Sequence, residues 1–166
     1  MRATSRLDVW VIPENTGFVP SKVDVQSFSN ELERRGFTSQ DSGEGPSATT
    51  GGFFDGFAHL RIVHEPEIRF VANQQGGFRV YCGTRIISGP FSAAMTKWRL
   101  GGERGFICQE CSEWHALESL NFRPDAGFYR FALHFSNVNA FAMTGDALDM
   151  CADLMGSVKM VLRRIG

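Results

Sequence analysis

The tightest constraint in this sequence is a pair of cysteines two residues apart, Cys108-Gln109-Glu110-Cys111, set between two strand-like segments. A Cys-x-x-Cys turn places two thiolates close enough to share one tetrahedral ion, and zinc ribbons join two such knuckles through a hairpin. The other half of a ribbon would be Cys82-Gly83-Thr84-Arg85, which has the glycine of a tight turn but an arginine where a second thiol would stand. Cys82, Cys108 and Cys111 supply three thiolates. His115, four residues beyond Cys111, is the nearest candidate for the fourth donor, with His64 or a water as fallbacks. The expected cofactor is one structural zinc; the alternative is a group of free thiols left in a degenerate ribbon.

Redox use of the pair is disfavoured, because Gln109 and Glu110 between strand-like flanks offer none of the positive potential that lowers a reactive thiol's pKa. A deaminase-type catalytic zinc also ends in Cys-x-x-Cys, but it wants His-x-Glu upstream and Pro before the first cysteine. This chain has His64-Glu65-Pro66-Glu67 and Ile107 at those places. No His-Glu-x-x-His, Gly-x-Ser-x-Gly or Gly-Lys-[Ser/Thr] occurs, so metalloprotease, serine-hydrolase and phosphate-loop chemistry have no motif here. Catalytic residues are therefore expected to be none.

At 166 residues the chain is long enough to bury a core without disulfides, and 15 Phe with 3 Trp supply bulky apolar surface for a core or an interface. A net charge of -1 gives no global field toward nucleic acid or anionic lipid. No apolar h-region and no long apolar run is present, so a cytoplasmic protein with reduced cysteines and no membrane partner is expected.

The expected architecture is one α+β domain over 1–166: an antiparallel sheet of about five to seven strands, an N-terminal and a C-terminal helix, and a zinc-ribbon-like knuckle hairpin around 82–115. Leu7 to Ile12 reads as a strand, and Ser21 caps a helix to Arg35 with Val25, Phe28 and Leu32 on one face. Residues 38–52 are polar and small, the composition of a mobile loop. Ala58 to Val63, Glu67 to Ala72 and Gly77 to Ile87 read as strands separated by Pro66 and by Asn73 to Gly77. Pro90 opens a helix carrying Phe91, Met95 and Trp98, closed by Gly101-Gly102. Segments 104–108 and 115–122 frame the knuckle. Tyr129, Phe131, Leu133 and Phe135 alternate as a half-buried strand, with His134 on the other face as a surface or satisfied histidine. A last helix, capped by Thr144, is expected to carry Leu148, Cys151, Met155, Val158, Leu162 and Ile165 as one stripe to the end of the chain.

Phe54-Asp55-Gly56 ahead of Leu60-Arg61-Ile62, the Cys108-x-x-Cys111 knuckle, and Asn121 to Phe128 together resemble segments of small bacterial proteins that carry a ribbon-like insertion. In those proteins both knuckles are Cys-x-x-Cys pairs, and Arg85 is the departure here. The resemblance implies a scaffold and no activity.

The function expected from these features is non-enzymatic binding of another protein, as an immunity or adaptor protein that inhibits a toxin or effector would do. Asp41, Glu44, Glu65 and Glu67 are the candidate acidic contacts, and Trp98 and Trp114 the aromatic anchors. The alternative is a ribbon-like nucleic-acid module using Arg79, Arg85, Lys97, Arg99, Arg104 and Arg123 with a stacking tryptophan. A third reading is an enzyme whose site would bring His59, His64, Glu65 or Glu67 to the cysteines beneath the 38–52 loop.

Overall fold

The computed structural model describes residues 6–34, 59–73, 77–136, 138 and 145–165. Its backbone is α+β. Four antiparallel strands form the main sheet, β1 (Arg6–Pro13), β2 (His59–Val71), β8 (Gly127–Ser136) and β9 (Val158–Ile165), in the order β2-β8-β1-β9. A three-stranded sheet joins β3 (Arg79–Cys82), β4 (Arg85–Ile86) and β7 (Asn121–Arg123) in the order β4-β3-β7, and β5 (Gly105–Ile107) pairs with β6 (Trp114–Ala116) as a hairpin. The helices are α1 (Lys22–Arg34), α2 (Ser88–Arg99) and α3 (Gly145–Met155).

Alternation along the strands gives the main sheet two apolar faces. Val9 and Val11 of β1, Leu60 of β2 and Phe131, Leu133 and Phe135 of β8 pack under Phe28 and Leu32 of α1 and Ala147, Cys151, Leu154 and Met155 of α3. The expected N-cap of α1 is present, since the Asp24 N–H donates to Ser21 Oγ at 3.1 Å. Glu31 pairs with Arg34. On the opposite face Ile12, Val63, Ala132 and Val161 group with Tyr129. The simple alternation of β8 slips between Tyr129 and Phe131, which join different faces, so this strand is buried on both sides rather than half-buried. His134 is satisfied: its Nε2 lies 3.0 Å from Oδ2 of the buried Asp8, and Trp10 stacks on its ring at 4.1 Å.

A second core lies under α2. Phe91, Ala94 and Met95 of that helix meet Val80, Phe122, Phe128, Leu117 and Cys108, and Phe70 and Phe78 pack at their edge. The surplus of phenylalanine is used here, with Phe70, Phe91, Phe122 and Phe128 in tilted and edge contacts 4.9–6.4 Å between centroids.

Four expectations are corrected. The last helix stops at Met155, where Gly156 takes φ +73°, and the remaining stretch is β9, which pairs with β1 from Val158↔Pro13 to Ile165↔Arg6. A strand and not a helix therefore ends the fold, and Leu148 is exposed instead of buried. Pro66 does not separate two strands: β2 runs through it with a register shift between His64 and Arg69, tolerated because β2 is an edge strand where a missing N–H leaves no ladder bond unmade. The segment 115–122 is broken by a 3-10 turn at Leu117–Ser119, and its second half joins β3 in another sheet. The strands number nine among the described residues, divided over three sheets. The 38–52 loop, Gly36 and Thr144 lie outside the described residues.

Candidate metal centre

Two turns bring the cysteines together. β3 ends at Cys82, whose cross-strand partner on β4 is Arg85, with Gly83 at φ +59° in the turn between them. Beyond β5, the Cys108 N–H donates to the Glu113 carbonyl and the Ser112 N–H to the Cys108 carbonyl, each at 2.8 Å, closing a tight knuckle. Ser112 carries φ 62°, the left-handed conformation such a turn requires and which glycine adopts at less cost. On β6 His115 faces Phe106 of β5, their Cα positions paired and their rings 6.4 Å apart.

The result is one group of donors. The Sγ atoms of Cys82, Cys108 and Cys111 and a ring nitrogen of His115 all lie within 4.8 Å of one another. His115 Nε2 is 3.0 Å from Cys111 Sγ and 3.8 Å from Cys82 Sγ. A tetrahedron with metal–sulfur bonds of about 2.3 Å has edges of about 3.8 Å, so a zinc-sized ion fits with small adjustments. Among the described residues this is the one His/Cys/Asp/Glu group compact enough to hold a metal. The fourth donor is thus supplied by His115, and His64 does not join.

Electrostatics favour a cation. The Cys108 thiol is held below its ordinary value chiefly by the Cys111 N–H, with burial opposing and the Glu110 N–H assisting. Cys82 is pushed up to about 11, first by its hydrogen bond to Cys108 and then by Cys111. Cys108 therefore gives up its proton more readily than Cys82, and a divalent ion would displace the proton that Cys82 retains. Three thiolates around a divalent ion leave one net negative charge. Arg85 is the cross-strand partner of Cys82 and reaches Glu110 of the knuckle at 3.8 Å.

Of the proposed contact residues, Glu65, Glu67 and Trp98 line one cavity, which Trp114 of β6 does not reach. Glu65 pairs with Arg69 at 3.5 Å, Glu67 is exposed, and neither meets the cysteines. Trp98 is half-buried against Phe128, whereas Trp114 is 54% exposed. Asp41 and Glu44 lie outside the described residues. The arginines of the nucleic-acid alternative divide: Arg79 and Arg123 are cross-strand partners, with Arg123 over Tyr81, Arg85 stands at the knuckle, and Arg104 is held by both Glu118 oxygens at 3.0 and 3.2 Å. Two features escaped sequence reasoning: the Arg104–Glu118 fork and the buried Asp8 beneath His134, both long-range pairs without a local pattern.

In comparisons with family models, with curated proteins and with solved structures, no match to this chain was found.

Proposed function

We propose that this chain is a non-enzymatic binding protein, held in shape by one structural zinc, that engages another protein through the outer face of its β5–β6 hairpin. The observation that carries the reading is the closed Cys82, Cys108, Cys111, His115 set, drawn from two hairpins. Four protein donors fill a tetrahedral ion and leave no position for a reacting water, the pattern of structural and not catalytic sites.

The hairpin that the ion would hold has two unlike faces. Phe106 and His115 point toward the cluster and the second core, while their neighbours Ile107 and Trp114, paired across the strands, are 70% and 54% exposed. The Trp114 indole lies over Gly105, where an added Cβ would overlap it. A rigid exposed tryptophan beside an exposed isoleucine is the composition of an interface anchor. An immunity or adaptor protein is one form the activity would take.

The test is native mass spectrometry of protein purified without added metal, for the wild type, Cys108→Ser and Ile107→Ser/Trp114→Ala. One zinc is expected in the wild type and in the double surface variant, and none in Cys108→Ser. A partner retained by the wild type and lost by the surface variant with its zinc intact supports the interface. Four free thiols and no metal in the wild type would sink the reading.

A further inference from the structure

A second site lies elsewhere in the molecule. A cavity of about 720 Å³ opens between the irregular stretch of β2 and the C-terminal end of α2, and none of the four candidate metal ligands lines it. Four guanidinium groups do: Arg69 of β2, Arg99 of α2, Arg104 just before β5, and Arg130 of β8. Trp98 and Tyr129 supply aromatic wall. We propose that this cavity binds a phosphate-bearing ligand of nucleotide size, its phosphates on the arginines and its planar ring against the aromatic wall.

The register shift around Pro66 creates the opening. Between His64 and Arg69 the β2–β8 ladder is interrupted, and the Arg130 Nε–H donates to the free Glu65 carbonyl at 3.3 Å. Irregularities of this kind re-aim side chains at sites of use. Arg104 is fixed in orientation by its two-point contact with Glu118 from outside the cavity. Arg69 is partly neutralised by Glu65. Arg99, by contrast, has no hydrogen-bonding or ionic partner among the described residues and is exposed at the cavity wall.

The charge count in the lining is four arginines against Glu65 and Glu67, a surplus of two positive charges. Like charges gathered on four separate segments repel, a bound anion relieves that repulsion, and the planar guanidinium fork matches phosphate oxygens two at a time. The volume falls within the range of small-ligand sites. A carboxylate metabolite would satisfy the arginines equally, but the aromatic wall adds a place for a flat ring, on which stacking and cation–π contact operate together. Those two features in one cavity favour the nucleotide class.

The experiment is isothermal titration of the zinc-loaded full chain with ADP, with pyrophosphate and adenosine as its separate halves, and with a short single-stranded oligonucleotide. ADP is expected to bind saturably with a Kd between about 10 μM and 1 mM, pyrophosphate more weakly, and adenosine without measurable heat. Arg99→Glu is expected to weaken ADP at least tenfold, and Arg99→Gln by less; both retain the wild-type circular dichroism and zinc content, because Arg99 is solvent-exposed. Arg34→Glu, on α1, is the control and leaves binding unchanged. Equal weakening by Arg99→Glu and Arg34→Glu, or no saturation by ADP at about 5 mM, overturns the proposal. Oligonucleotide binding tighter than ADP with the same Arg99 dependence overturns the small-ligand assignment.

Discussion

A Cys108 thiol held below its ordinary value by backbone N–H groups, a Cys82 thiol pushed up beside it, and an imidazole nitrogen 3.0 Å from Cys111 form a donor set that a divalent ion would deprotonate on binding. What matters at His115 is a soft donor at that point, so His115→Cys is expected to keep one zinc in a four-thiolate site and His115→Ala to lose it or bind it at least tenfold more weakly. Metal content by mass spectrometry and competition with a chromogenic chelator measure both; equal loss in the two variants would mean that His115 is no ligand. Cys151 is of another kind. It is fully buried in α3, and burial pushes its thiol from 9.0 up to about 12. The folded state thus favours the neutral thiol, so this contribution is complete below pH 9 and is lost as pH rises toward 12. With zinc stripped, an aromatic disulfide reagent is expected to modify exposed Cys111 first and Cys151 only on unfolding. The grouping of Cys108, Cys111 and His115 was legible in the sequence because a two-residue thiol spacing and a histidine four residues on are local signals. The Asp8–His134 contact, 126 residues apart, has no such signal.

At the scale of elements, the sequence was most legible where apolar spacing is decisive and least where two periods agree. Phe28 and Leu32, four apart behind a serine cap, mark α1 without ambiguity. Val158 and Leu162 are also four apart, a spacing that falls on one face of a helix and equally on one face of a strand. Both pack at the edge of the main core from β9. The deciding residue is Gly156, whose φ of +73° ends α3 in the left-handed turn common at helix C-termini. A Cβ there would meet nothing within 4 Å, so the cost of Gly156→Ala is conformational alone. We expect a loss of about 1 kcal/mol in urea unfolding, with an unchanged m-value. A neutral result would show that the turn does not need the left-handed conformation. Pro66 carries the converse lesson, since a proline marks a strand boundary only where its missing N–H would face a neighbour.

For the whole molecule, the consequence of the metal depends on which core it touches. Cys108 belongs to the apolar cluster beneath α2, with Leu117 and Phe122, which Phe70 of β2 and Phe128 of β8 join from the main-sheet strands, whereas the larger core of that sheet packs on α1 and α3. The candidate ion ties the β3–β4 turn to the β5–β6 hairpin, two small sheets with few strands of their own. Small sheets gain little from their own ladders and rely on what they pack against. Removing zinc with a chelator is therefore expected to raise amide exchange first at 82–86 and 105–116, while β1, β8 and β9 keep their protection. If free zinc stands about 1,000-fold above its Kd, its loss costs about 4 kcal/mol and lowers Tm by roughly 10 °C. Hydrogen exchange read by mass spectrometry separates the alternatives. Faster exchange confined to those segments places the metal as a local clamp on the hairpin that displays Trp114. Exchange rising equally in the main sheet would mean that the two cores unfold as one unit, with the ion supporting the entire fold.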